Sequence, residues 1–291
     1  MDLLQQVSGI DIRRRGVPGT QADLYIRGGG FDQTLLLIDG MKMDDIQTGH
    51  HTLNLLLPIQ LIERIEIIKG PASRIFGQNA FNGAINIVTK SLPKLDKKQF
   101  EMLVSNPTFG SFKQFGFLIN SRLSLKEKFN AQLIFSRSKS DGYRYNTDYI
   151  NDFFFFKSEI KTQKNPIIIT SGFTEKKFGA NGFYASPSAT DQYEETQASF
   201  LGISTLLGSE KFLVRPKLYW RRGQDEYIYI RNNPSVYRNL HKTNKIYLDF
   251  SFSKLFESSR LNFGIDLSNS SISSNNLGDH DRFTTSLYAD R

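Results

Sequence analysis

An alternation of period two recurs through residues 91–291 and constrains this chain more than any other feature. Phe129, Ala131, Leu133 and Phe135 fall on one face of an extended segment. Asn130, Gln132 and Ser136 fall on the other, with Ile134 out of pattern. Phe212, Val214, Pro216, Leu218 and Trp220 oppose Arg215, Lys217, Tyr219 and Arg221, with Leu213 as the exception. Residues 246–253 and 261–268 repeat the arrangement. Successive side chains of a strand point to opposite faces, so each segment reads as a strand with one apolar face. Weaker matches at 99–106, 112–123, 150–161, 165–175, 194–206 and 282–290 bring the total to ten candidate strands.

The connections alternate in length. Leu125 to Lys128, Lys164 to Pro166 and Gly208 to Glu210 are tight, whereas 138–149, 176–193 and 222–241 are long. A meander with short turns at one rim and long loops at the other matches an outer-membrane barrel, whose strands need roughly ten residues to cross the bilayer. The opposing faces carry several charges, which a wet lumen accepts and the dry core of a soluble β-sandwich does not. The segment 225–231, DEYIYIR, either extends a strand or forms a hairpin arm. Pro216 counts against a regular central strand, since it donates nothing to the ladder.

Composition changes near residue 90. Residues 1–90 hold 11 of the 22 glycines but only four aromatics, Tyr25, Phe31, Phe76 and Phe81, and their charges sum to zero. The net charge of +8 lies entirely in the second region. The run Ser91-Leu92-Pro93-Lys94 is the expected joint. The first region reads as short strands at 23–26, 34–38, 64–69 and 84–89. Short helices are expected from Pro58 to Leu61 and from Pro71 to Phe76. Gly77 ends the second with positive φ.

Cysteine is absent, which removes disulfides and thiolate chemistry. No apolar run approaches the roughly 20 residues of a membrane helix. No basic start followed by an apolar run marks a signal peptide. For a complete chain that would point to the cytoplasm. No catalytic motif emerges, so an enzyme is not expected. The basic residues are scattered over alternating strands rather than gathered, so nucleic acid is not an expected partner.

The motifs of the first region sharpen this reading. Residues 3–12, LLQQVSGIDI, Leu24-Tyr25-Ile26-Arg27-Gly28, Leu35 to Gly40, Ile62 to Pro71, Phe76-Gly77 and Gly83 to Lys90 follow one another in fixed order. Together they resemble the plug domain of TonB-dependent outer-membrane receptors. Asn82 departs from that pattern, where Gly often stands. The resemblance implies a small α/β plug at 1–90, followed at 91–291 by an incomplete antiparallel transmembrane β-barrel with about ten of an expected 22 strands. A signal peptide and an energy-coupling TonB box belong to such receptors, and neither is visible here. The expectation is a fragment, incompetent in transport by itself, with two unpaired sheet edges.

The implied function is TonB-dependent uptake of a scarce nutrient across the outer membrane of a Gram-negative bacterium. An iron–siderophore or related chelate is the commonest cargo. The implied partners are TonB, the nutrient and outer-membrane lipid, with no cofactor. A passive porin or adhesin and a soluble β-sandwich interaction module are the alternatives.

The plug-motif residues are Arg27, Gly28, Asp39, Gly40, Glu63, Arg64, Glu66, Lys69, Gly70, Pro71, Gly77, Gly83 and Asn86. Arg27, Glu63, Arg64, Glu66 and Lys69 are expected to anchor the plug to wall charges. Gly28, Gly29 and Gly30 read as a tight turn rather than a phosphate cradle, because they lack the dinucleotide-binding spacing. Phe31, Asp32, Gln33, Asp44, Asp45, Gln47, His50 and His51 are candidate ligand contacts. His50-His51 near two Asp also raises metal coordination, against which adjacent side chains rarely converge on one ion. Tyr143, Tyr145, Tyr184 and Tyr237 offer flat contacts in the long loops, or form an aromatic girdle.

Overall fold

The computed structural model describes residues 2–17, 19–55, 57–92, 98–109, 112–125 and 128–290. The N-terminal part opens with helix α1 (Asp2–Gln5) and the antiparallel pair β1 (Ile10–Arg14) and β2 (Ala22–Ile26). Next come a 3-10 turn at Phe31–Gln33, β3 (Thr34–Ile38), β4 (Met41–Lys42), and 3-10 segments at Gly49–Leu55 and Ile59–Leu61. Strand β5 (Ile62–Lys69), helix α2 (Ser73–Phe76) and β6 (Gly83–Thr89) complete it. Strands β4, β3, β6 and β5 lie side by side in that order, with β3 and β6 parallel.

Every residue of β3 is buried. Leu36 and Ile38 face one cluster with Leu24, Ile26, Ile85 and Ile87, while Leu35 and Leu37 face Ala72, Ala80 and Ala84. A strand covered on both faces reads as a continuous apolar run, as TLLLI does.

Two motif dipeptides have a backbone cause. Arg27-Gly28 and Asp39-Gly40 all have positive φ, near 50° and 75° in each pair. That is the demand of a type I′ turn, which Gly meets without strain. The first turn closes with Gly29 N–H donating to Ile26 C=O at 3.0 Å, and the second joins β3 to β4. Gly77 ends α2 with φ 79°, its N–H donating to Ser73 C=O at 2.8 Å, as the sequence leads one to expect.

The rest of the chain is one antiparallel sheet. Its strands are β7 (Gln99–Ser105), β8 (Thr108–Phe109), β9 (Phe112–Leu125), β10 (Phe129–Ser140), β11 (Tyr149–Lys161), β12 (Pro166–Gly179), β13 (Tyr193–Thr205), β14 (Leu207–Ser209), β15 (Phe212–Ile228), β16 (Arg238–Leu255), β17 (Arg260–Ser274) and β18 (Gly278–Asp290). Ten of the twelve run in sequence from β18 to β7, and β8 and β14 are short additions. The ten candidate segments are these ten strands. Many exceed ten residues, up to 18 in β16, and the long loops shrink to 141–148, 180–192 and 229–237. Residues 225–228 extend β15. Among the described residues β7 and β18 are the open edges of the sheet. Of the expected joint, Pro93 and Lys94 lie outside the described residues, as do 126 and 127 of the first tight turn.

The polar rows face inward, onto the plug. Asn130, Gln132, Lys217, Tyr219, Arg221, Lys245, Asp266 and Ser268 are buried, while Leu133, Leu218, Ile246, Phe283 and Leu287 stand exposed on the outside. The apolar rows therefore do not meet across a dry two-sheet core. The misfits have reasons. Ile134 is fully buried because it packs with the plug core. In β11 the Phe run is shared between the faces, and Phe153 and Phe155 join that same core. Pro216 sits where β13 hands over to β14. Pairing on that side of β15 stops at Lys217 and resumes at Val214, so the missing donor coincides with a gap in the ladder.

Candidate functional site

The plug segment from Asp39 to His51 climbs the inner wall from the short-turn rim toward the long loops, and it is tied at each level. At the bottom, Asp39 takes the Thr89 hydroxyl at 2.6 Å, while Lys157 Nζ reaches Thr89 Oγ1 at 2.5 Å and Asp39 at 3.4 Å. Lys217 Nζ donates to Gly40 C=O at 3.1 Å. Above them, Lys42 Nζ pairs with Asp266 at 2.8 Å, and the Tyr219 hydroxyl accepts the Lys42 N–H. In the middle, Asp44 meets Lys245 at 2.6 Å and the Tyr247 hydroxyl, and Asp45 meets Arg221 at 2.7 Å. At the top, Gln47 Nε2 donates to Asp225 at 3.2 Å and His51 Nε2 lies 3.4 Å from the same carboxylate.

Close approach needs small wall residues. A Cβ on Gly223 would lie 2.6 Å from Asp45 Oδ2, and one on Gly202 would lie 2.2 Å from Met41 Sδ. Burial favours the neutral form of Asp44, but Lys245, Tyr247 and Arg221 outweigh it and hold the carboxyl below its usual range. Burial also disfavours a charged His51. Asp225 reverses that, with Asp45 and Glu194 adding to it, and raises the imidazole to about 9.

The expected anchors behave differently. Arg64 pairs with Glu63 and Glu66 on the plug itself, with exposed side chains. Glu66 also accepts from Asn86 Nδ2 at 2.8 Å, and Asn86 Oδ1 accepts Gly40 N–H at 2.9 Å. These motif residues brace one another across β5, β6 and the β3–β4 turn. Arg27 is exposed in its turn, and Lys69 ends β5 opposite Gly83. A Cβ on Gly83 would sit 2.3 Å from Ile68 C=O. Gly70 N–H donates to Asn82 C=O, and Pro71 precedes α2. Asn82 fills the space over Gly29 and donates to Gln33 Oε1 at 2.6 Å.

A cavity of about 700 Å³ opens at the long-loop end. Gln47, His50 and His51 form its plug side, and Tyr184, Tyr227, Tyr229, Tyr237, Glu194 and Asp225 are on its wall side. Phe31 and Asp32 stand behind it. The Phe31 ring lies 3.9 Å from the His50 ring, and Asp32 accepts Gly49 N–H at 2.6 Å. Both line a second cavity of about 300 Å³ with Asp44, Asp45 and Gln47. Gln33 lines neither and instead caps its own turn through Gly30 N–H. His50 bonds Asp23 at 2.6 Å and His51 faces Asp225, so the adjacent histidines do not converge with Asp44 and Asp45. Tyr145 bonds Asp191 and Tyr143 lies under Arg144, both away from the cavity.

Glu194, Asp225, Tyr227, Tyr229 and His241 were not singled out from the sequence. The alternation in 225–231 held the signal for three of them, since Asp225, Tyr227 and Tyr229 share one face.

A strand wall with polar side chains turned inward onto a small α/β unit tied to it by buried charges defines a plugged outer-membrane receptor. Residues 1–84 match the TonB-dependent Receptor Plug Domain. The chain is a TonB-dependent outer-membrane receptor plug domain followed by a partial barrel. It is 31% identical over 146 residues, half of this chain and 23% of the relative, to the vitamin B12 transporter BtuB of Vibrio vulnificus. In fold it is similar to the siderophore receptor PirA from Pseudomonas aeruginosa, with TM-score 0.73, 17% identity, and coverage of 98% of this chain and 53% of that one. The ferric enterobactin receptor PfeA of the same organism gives TM-score 0.78 at 13% identity, covering 99% of this chain and 51% of that one. The chain spans about half the length of these solved structures and about a quarter of the curated relative.

Proposed function

We propose that the chain is the plug, residues 1–90, and part of the wall, residues 91–291, of a receptor that carries a scarce nutrient across the outer membrane with work delivered by TonB. The observation that carries this reading is the cavity where plug residues Gln47, His50 and His51 meet the long-loop tyrosines. Cargo held there touches both bodies, so binding biases which plug position is populated. Buried ion pairs along Asp39–Asp45 hold the closed position until force is applied. A plug tied to the wall in this way speaks against a passive porin. The exposed apolar rows suit outer-membrane lipid.

The lining narrows the cargo. Among the described residues the cavity presents no Lys or Arg, but Glu194 and Asp225 together with four tyrosines. That lining offers an anionic ferric chelate no Lys or Arg to pair with, and suits a cargo with a flat ring and amide edges. The similarity to vitamin B12 transporters supports a corrinoid over the iron–siderophore expected on frequency alone. The test is binding of cyanocobalamin and of a ferric catecholate to the full-length receptor carrying this sequence. Corrinoid binding weakened by Tyr227→Ala and Tyr237→Ala is expected. Uptake of the ferric chelate with no corrinoid binding overturns the cargo assignment.

A further inference from the structure

We propose that His51, Glu194 and Asp225 form a divalent transition-metal site that joins the plug to the wall at the floor of the long-loop cavity. One ligand atom from each lies within 4.8 Å of the others. His51 Nε2 and Asp225 Oδ2 are 3.4 Å apart, which is close to the spacing of two ligands around a zinc ion with bonds of about 2.0–2.2 Å. Glu194 closes the triangle by a small side-chain movement.

One further observation points to a cation at this place. Asp225 is only 8% exposed, and its Oδ1 is buried without a hydrogen-bond partner. Buried carboxylate oxygens are costly to leave unpaired. Neighbouring polar groups hold the three donor side chains in place. Asn54 Nδ2 lies 3.1 Å from His51 Nδ1, which accepts from it, so Nε2 faces the carboxylates and takes a metal only on giving up its proton. Gln47 donates to Asp225 and the Tyr184 hydroxyl to Glu194.

One imidazole and two carboxylates, with no thiolate, suit Zn²⁺ and its first-row neighbours better than the all-oxygen shells of Ca²⁺ or Mg²⁺. A dication also balances the two carboxylate charges. Lys176, buried nearby with Nζ 3.4 Å from Asn54 Oδ1, is the competing cation. The remaining coordination positions open toward the cavity. His51 comes from the plug segment Gly49–Leu55, Glu194 from β13 and Asp225 from β15, so the ion bonds plug to wall. The site stands independently of which cargo the cavity takes.

The test is Zn²⁺ binding to the full-length receptor in detergent after chelator treatment, followed by calorimetry and by competition with a chromophoric chelator. Stoichiometric binding is expected. Glu194→Gln and Asp225→Asn should each weaken it about tenfold or more. His280→Ala, on an exposed hairpin, should leave it unchanged. Zn²⁺ should also slow proteolysis of the plug in the wild type but not in these variants, with heat-modifiable gel mobility reporting that each barrel is folded. If the variants do not fold, X-ray absorption of the wild type decides, with one imidazole and oxygen ligands expected. No Zn²⁺ binding by the wild type, unchanged binding by the folded variants, or a shell with two or more imidazoles overturns the proposal. The overturning outcomes leave a protonated His51 as the cation facing Asp225.

Discussion

Asp44 of the plug and Lys245 of the wall lie 2.6 Å apart, 201 residues apart in sequence, with side chains only 7% and 4% exposed. Tyr247 supplies the other carboxylate oxygen with a hydrogen bond, and Arg221 donates to the Asp44 backbone carbonyl. A buried pair of this kind contributes little net stability when intact, but removing one partner strands the other.

Asp44→Asn is therefore expected to weaken plug retention by about 3–5 kcal/mol, because Lys245 is left without its carboxylate in a sealed site. Denaturant titration of the full-length receptor with a probe on the plug measures this. Arg64→Ala, which removes an exposed pair inside the plug, should leave plug retention nearly unchanged. Equal effects from the two substitutions would refute the assignment of the anchors.

Gly223→Val should separate plug from wall at mid-height. The added Cβ would fall 2.6 Å from both Asp45 Oδ2 and Thr243 Oγ1, so the Asp45–Arg221 pair has to yield. Overpacking costs about 1–3 kcal/mol. Faster exchange of plug amides with solvent is the expected reading, and protection as strong as in the wild type would contradict the close approach.

Gly40→Ala places a Cβ on a residue with φ 75°, at the second position of the β3–β4 turn. The left-handed region costs about 1–2 kcal/mol for a residue with a side chain. Lys217 Nζ, 3.0 Å from the new atom, has to move as well. A drop in plug unfolding midpoint checks this, and no drop would mean the turn is not held in the observed form.

Acid should release the plug. The Asp44 carboxyl is held below its usual value, so its stabilising contribution is fully present above the ordinary 3.8. The contribution is lost as pH falls from there through the depressed folded value. Protease sensitivity of the plug should rise over that acidic range in the wild type. The profile should be flatter in Asp44→Asn, and identical profiles would count against Asp44 as the titrating anchor.

Much of the architecture was legible because it follows from local periodicity. Each of the ten strands announced itself in its own alternation. The paired motif dipeptides Arg27-Gly28 and Asp39-Gly40 encoded their turns through a φ requirement that concerns only neighbouring atoms. Misfits such as Ile134 and the Phe run of β11 were legible as exceptions but not as contacts, since alternation says nothing about what lies across the lumen. The charges around Arg64 looked like anchors because they flank apolar strands, yet their partners are one another. The working anchors are at Asp39, Lys42, Asp44 and Asp45, of which a linear reading makes Asp39 part of a turn motif and Asp44 and Asp45 ligand contacts, and does not single out Lys42.

The sequence by itself determined the strand faces, the turns and the division into a glycine-rich unit and an aromatic-rich wall. Each depends on the alternation of side chains or on the φ range of a single residue. Only the tertiary structure decided which groups meet. His51, Glu194 and Asp225 come together because the register of β13 and β15 sets two carboxylates at the height reached by the plug segment. Register between paired strands, and their height against the plug, is a property of the whole packed sheet, and no short stretch of sequence contains it.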